Sequence, residues 1–183
     1  NVFTVGDVNI DLNEDFNQGA TLIPGVDIEK KPTITNEGPN DAWVWATIAV
    51  PAALDNDDAS KNVIHFNYSK DEAYNWTWTN DGQWLVEKNV EIGGVLYNVY
   101  TALYDEILKT GETTKYPVIH NVYMDDHIDI DPNGDWHHVL GGTVTDIDWN
   151  TKANGNPVIH VSAYAMQTEG FKTVQEAYEA YQN

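Results

Sequence analysis

Apolar and polar residues alternate with period two along most of the chain, and turn residues reset the phase. In residues 1 to 12, Phe3 and Val5 have one parity while Val8, Ile10 and Leu12 have the other. One extra residue at Gly6-Asp7, a glycine bulge, would place all five side chains on one face of a single N-terminal strand. Asp11 to Thr21 is polar and reads as a loop, and Pro24-Gly25 is a turn signal. Val26 to Thr35 reads as extended, with Ile28 and Ile34 apolar and Pro32 assigning it to an edge or a strand start. After the turn residues Asn36 to Asn40, Ala42 to Val50 is apolar on both faces. Trp43, Trp45 and Thr47 oppose Val44, Ile48 and Val50, which predicts a central strand.

Ala53 to Lys61 reads as an exposed loop with room for a short helix. Further strands are predicted near Val63 to Tyr68, Asn75 to Thr79, Gln83 to Lys88, Val95 to Tyr104 and Lys115 to Met124. Asn80-Asp81-Gly82, Gly93-Gly94 and Thr110-Gly111 punctuate them. An acidic loop, Asp125 to Asp135, precedes strands near Val139 to Asp148 and Pro157 to Gln167. Short strands at this spacing specify an all-β sandwich or barrel. The period changes only at the C-terminus, where Val174, Ala177, Tyr178 and Tyr181 recur at helical spacing and Thr173 with Glu176 has capping-box spacing. One short helix is expected there, plugging an end of the sandwich or covering an edge.

Composition narrows the function classes. At 183 residues the chain suits one domain. No run approaches the roughly 20 apolar residues of a membrane-spanning helix, which predicts a soluble chain without membrane insertion. The net charge of −20 comes from 29 acidic residues against nine lysines, with no arginine. Phosphate backbones are bound by neutralising them, so nucleic acid is a poor partner, and an anionic membrane surface is disfavoured for the same reason. Such a surface attracts cations and repels its own copies, so any assembly should depend on salt and pH. No cysteine is present, which removes disulfides, thiol nucleophiles and thiolate metal sites. The start at Asn1-Val-Phe fits removal of an export signal.

Three stretches together carry a resemblance. The opening Asn1-Val-Phe-Thr-Val-Gly-Asp-Val-Asn-Ile-Asp-Leu12 resembles the mature start of TasA/camelysin family proteins, whose export signals are processed by a SipW-type signal peptidase. Leu22 to Gly38, with its Pro24-Gly25 turn and Thr35-Asn36-Glu37-Gly38, continuing into Ala42-Trp-Val-Trp45, resembles the family's second segment. Val161 to Phe171 and the helix after it resemble the closing pattern, with Gly111-Glu-Thr-Thr114 between. The resemblance implies an exported, antiparallel jelly-roll-like β-sandwich with a short C-terminal helix. It also implies a structural subunit of biofilm-matrix fibres that self-associates by strand exchange, the N-terminal strand of one copy completing the sheet of the next. Residues 1 to 12 fit a donated strand, through Phe3, Val5, Val8, Ile10 and Leu12, with a polar stretch after them as a tether. Pairing within their own domain is the plain alternative.

Candidate chemistry is sparse. Camelysins are described as metalloproteases, yet the His-Glu-x-x-His pattern is absent. The six histidines, His65, His120, His127, His137, His138 and His160, fall on strands or loops. A site from separate strands would combine, for instance, His120, His127 and His137. Ser60, Ser69 and Ser162 lack a nucleophile elbow, and the carboxylates are too numerous to single out a glycosidase pair. Asp129, Asp131, Asn133 and Asp135, with Gly134, match part of an EF-hand calcium loop, although Leu140 stands where the bidentate glutamate belongs. An acidic solvated turn is the competing reading. Seven tryptophans, among them Trp76 and Trp78 on one strand face, raise a second function: a monomeric, calcium-stabilised module binding carbohydrate or protein. A sugar platform requires at least two coplanar exposed rings.

Overall fold

The computed structural model describes residues 1–14, 22–67 and 75–183. Its first strands are β1 (Val2–Val5), β2 (Ile10–Asn13), β3 (Asp27–Glu29), β4 (Thr33–Asn36) and β5 (Ala42–Pro51). A 3-10 turn (Ala52–Leu54) leads towards β6 (Ile64–Asn67), and β7 (Trp76–Thr77), β8 (Thr79–Asn80) and β9 (Gln83–Trp84) are two-residue strands. Then follow β10 (Val86–Ile92), β11 (Val95–Tyr104), β12 (Asn121–Met124), β13 (Ile128–Ile130), β14 (Asp135–Leu140) and β15 (Thr143–Asn150). The chain closes with α1 (Thr151–Asn154), β16 (His160–Gln167) and α2 (Val174–Gln182). The all-β class with a short C-terminal helix is as expected.

The main sheet runs β1-β16-β5-β11-β10, with β7 also on β11. As its two-sided pattern requires, β5 is central, flanked antiparallel by β16 and β11. One face of β5, with Val44, Ala46, Ile48 and Val50, enters the principal core. That core also takes Ile34, Ile64, Val122, Ile128 and Trp136 from β4, β6, β12, β13 and β14, which belong to the smaller sheets β2-β4, β3-β12-β6 and β13-β14-β15. The opposite face, with Trp43 and Trp45, is covered by α2 through Val174, Ala177, Tyr178 and Tyr181. The helix therefore lies over a sheet face, not an end or an edge. The side chain of Thr173 caps it by accepting the Glu176 N–H, and the Glu176 carboxylate accepts the N–H of Lys172.

Several strand expectations change. The Val26 to Thr35 segment breaks near Pro32 into β3 and β4, which join different sheets. The Lys115 to Met124 strand shortens to β12, because the segment before it is irregular backbone burying Val118 and Ile119. The acidic loop contains β13, and the strand expected at Val139 to Asp148 is a hairpin, β14 to β15, turned by Gly141 and Gly142 at positive φ. Tyr68, Ser69 and most of the loop Asp11 to Thr21 lie outside the described residues.

Candidate functional site

The N-terminal stretch is two strands in two sheets. β1 pairs parallel with β16, Val2 to Val5 lying beside Ala163 to Met166, and among the described residues no strand pairs with its outer edge. All four of its residues are exposed, Phe3 at 41% and Val5 at 44%. Among the described residues its one aromatic contact is Phe3 stacked on Tyr164, ring centres 4.8 Å apart, and Tyr164 in turn stacks on Trp45 at 5.7 Å. Gly6, at φ +84, then turns the chain; a Cβ there would come within 2.6 Å of the Gln167 side chain. Beyond it Val8 and Ile10 are buried, Leu12 packs against the same core, and β2 pairs with β4. The expected bulge is thus a corner, and Phe3 and Val5 do not share a face with Val8, Ile10 and Leu12.

Residues 7 to 13 are fastened from several sides. The Glu37 N–H donates to the Asn9 carbonyl at 2.9 Å, Asn40 Nδ2 to the Asp7 carbonyl at 2.9 Å, and Asn13 Nδ2 to Thr35 Oγ1 at 2.8 Å. Buried Asn36 gives its amide hydrogens to the carbonyls of Asn40 and Leu108 and accepts the Gly38 N–H. Gly38 is required here, since a Cβ would sit 2.7 Å from the Asn9 nitrogen. Thr114 answers Ile34 through both backbone and hydroxyl, and Thr113 meets Thr35 at 2.7 Å. The stretches that carry the family resemblance are therefore spatial neighbours: 1–5 beside 163–166 beside 43–46, and 10–13 beside 33–36 beside 113–114.

The partial calcium loop is the turn between β13 and β14. Asp131 Oδ1 accepts the N–H groups of Asn133 and Asp135 at 2.8 and 3.1 Å, and its Oδ2 lies 3.0 Å from His137 Nε2. Asp135 Oδ1 accepts from Asn150 Nδ2 at 2.8 Å, and Asp129 is exposed on β13. The Asp131 and Asp135 oxygens are engaged in the turn, and Asp129, Asp131 and Asp135 do not bring three ligand atoms together within 4.8 Å. His137 sits between Asp131 and Asp146; these carboxylates, Asp131 foremost, hold its pKa above the ordinary value, and His137 holds that of Asp131 below it.

A different group gathers on the other face of β14. Asp125, Asp126 and His127 place ligand atoms within 4.8 Å of one another, and among the described residues they alone do so. His127 Nδ1 lies 3.0 Å from Asp125 Oδ1 and 2.8 Å from Asp126 Oδ1. His138 Nε2, from β14, lies 3.9 Å from the same Asp125 oxygen, and His65 Nε2, from β6, lies 3.8 Å from the other. Burial works against the Asp125 carboxylate, but the backbone and ring of His127 hold its pKa below the usual range. Neither His120 nor His137 belongs to this group. Alternation along β14 was the available signal, because adjacent His137 and His138 must face opposite ways, and only one can look inward.

Six of the seven tryptophans are buried, Trp76 and Trp78 among them, and only Trp84, at 48%, is exposed. Trp43, Trp76, Trp136 and Trp149 each donate their indole N–H inside the protein, as core tryptophans do. Trp84 stands edge-on to Tyr100, so no coplanar tryptophan pair is presented. Tyr100 donates its hydroxyl to Asp55 at 2.7 Å, and burial first, then that carboxylate, push its pKa up. A cleft of 260 Å³ between the layers holds buried Lys30, 3.4 Å from Glu14, near His160 at the start of β16. None of the described helices is long and apolar enough to cross a membrane. Compared with family models, curated proteins and solved structures, the chain matches none.

Proposed function

We propose that this chain is a secreted structural subunit of an extracellular fibre, of the TasA/camelysin kind, in which β1 of one copy occupies the β16 edge of the next. The observation that carries the reading is β1 itself. It is four exposed residues seated on β16 by backbone pairing and the Phe3 ring stack, joined to a firmly held β2 by Gly6. A parallel edge strand has little to lose by exchanging its own edge for an identical one, because every hydrogen bond and the Phe3 stack are remade in the neighbour. The donated element is shorter than the twelve residues the alternation pattern suggests: Phe3 and Val5 travel, while Val8, Ile10 and Leu12 stay in their own domain and fix the hinge. The clustering of the resembling stretches around this edge, and the jelly-roll-like course that the resemblance implies, belong to the same reading.

The charge of −20 opposes contact between copies, so assembly should need screening by salt or neutralisation by cations. Electron microscopy of the intact chain beside one lacking residues 1–5, at rising salt, tests the reading. Fibres should form from the intact chain alone, while circular dichroism shows both folded. Fibres of equal number from the shortened chain would remove β1 from the mechanism.

A further inference from the structure

Independently of how copies assemble, we infer that Asp125, Asp126, His127 and His138 form a binding site for a divalent first-row transition ion, zinc being the type, with His65 beside the second oxygen of Asp125. The feature that points to a ligand is His138. Its side chain is 7% exposed, its Nε2 is buried without a hydrogen-bond partner, and that nitrogen faces Asp125 Oδ1 from 3.9 Å, too far for a hydrogen bond. Leaving a buried imidazole nitrogen unpaired is costly, and an ion placed between the two groups would satisfy both.

Three of the spacings suit an ion: donor separations of 2.8, 3.0 and 3.9 Å bracket the roughly 3.3 Å edge of a tetrahedron with bonds of about 2.0–2.1 Å to nitrogen and oxygen. His138 stands outside the three residues whose ligand atoms all lie within 4.8 Å of one another, so its ring has to close in as the ion binds. Two imidazoles with carboxylates suit zinc and its neighbours in the first row, whereas calcium prefers a cage of oxygens. His65 stacks on Tyr123, ring centres 4.8 Å apart, and so is steadied in place beside Asp125. The backbone holds the site as well: the Asp125 N–H donates to the Val63 carbonyl at 2.7 Å, and the Val139 N–H to the His127 carbonyl at 2.8 Å. His127, half exposed at 47%, gives the ion an entry from solvent. On binding, Nδ1 of His127 exchanges its carboxylate contacts for the metal, and any proton it carries leaves to solvent.

The donors come from the turn after β12 and from β14, with support from β6, so the ion would tie the β13-β14-β15 sheet to the β3-β12-β6 sheet. The expected role is structural. Zinc chloride titrated calorimetrically into the intact chain should show one saturable site, with a melting temperature that rises with zinc and much less with calcium. Cobalt at the same site should give visible absorption bands. His127→Ala, at an exposed ring, and His138→Gln should each weaken zinc binding by at least about tenfold, while His137→Ala, on the opposite face, should bind as the intact chain does. His127→Ala keeps the test open should His138→Gln fail to fold. Absence of saturable zinc binding, unchanged binding by His127→Ala, or an equal loss in His137→Ala would each overturn the site.

Discussion

Residues Val2–Val5 and Ile10–Asn13 are both four-residue strands from one continuous alternating stretch, yet they are held in opposite ways. The second has Ile10 at 4% exposure in the principal core, an antiparallel partner in β4, and side-chain hydrogen bonds from Asn13 to Thr33 and Thr35. The first has no buried side chain and, among the described residues, a parallel partner on one side and a single ring contact. Period and polarity do not distinguish them; the partners do. A strand is anchored by what its side chains displace from water, and backbone pairing at an exposed edge adds little to that.

The largest effect should come from the anchored half. Ile10→Ala removes a buried side chain from the principal core and should cost about 2–5 kcal/mol of global stability, read from urea unfolding. A loss no larger than that of an exposed-site variant would dissolve the contrast. Phe3→Ala, by comparison, should weaken the seat of β1 by about 0.5–1.5 kcal/mol and scarcely move the global midpoint. Its signature should be local, namely faster hydrogen exchange at the Ala163 amide, which donates to the Asn1 carbonyl at 2.9 Å, with the β2 and β4 amides unchanged.

The smallest effect concerns pH at the β16 end of the seat. Burial, with Lys30 nearby, holds His160 below its ordinary pKa of 6.5. Tyr97 places its hydroxyl 3.3 Å from the ring, and Lys30 is paired with Glu14. As pH falls the unfolded chain binds the proton first, so this contribution to stability is complete above the ordinary value and declines as pH drops below it. His160→Gln should flatten that limb of the pH–stability curve; an unchanged slope would assign it to other groups.

Where the chain's own local chemistry decides, the sequence was readable. β11 runs over the expected Val95 to Tyr104 because Gly93-Gly94 supplies two positive-φ residues at its start, and α2 begins where Thr173 can cap. Gly141-Gly142 carries the same signal as Gly93-Gly94, and the continuous apolar pattern around it hid the hairpin. At Gly6 the shift of parity predicts a bulge, but a corner between two sheets shifts parity equally. The calcium motif at Asp129 to Asp135 describes oxygen spacing along the chain, and here the Asp131 and Asp135 oxygens close a turn. Asp125, Asp126 and His127 are contiguous in the chain, but His65 and His138 join them only because the β6-β12 and β13-β14 registers bring both rings to the same carboxylate.

The claim that β1 is exchanged between copies can be tested by covalent capture in assembled material. Val2→Cys and Ala163→Cys would lie on neighbouring parallel strands, about 4.8 Å apart and within reach of a disulfide. Isotopically light and heavy populations of this double variant, mixed under reducing conditions, assembled and then oxidised, should yield disulfides joining light chains to heavy ones. Fibres in which every disulfide closes within a single chain would show that β1 stays at home, and would contradict the account.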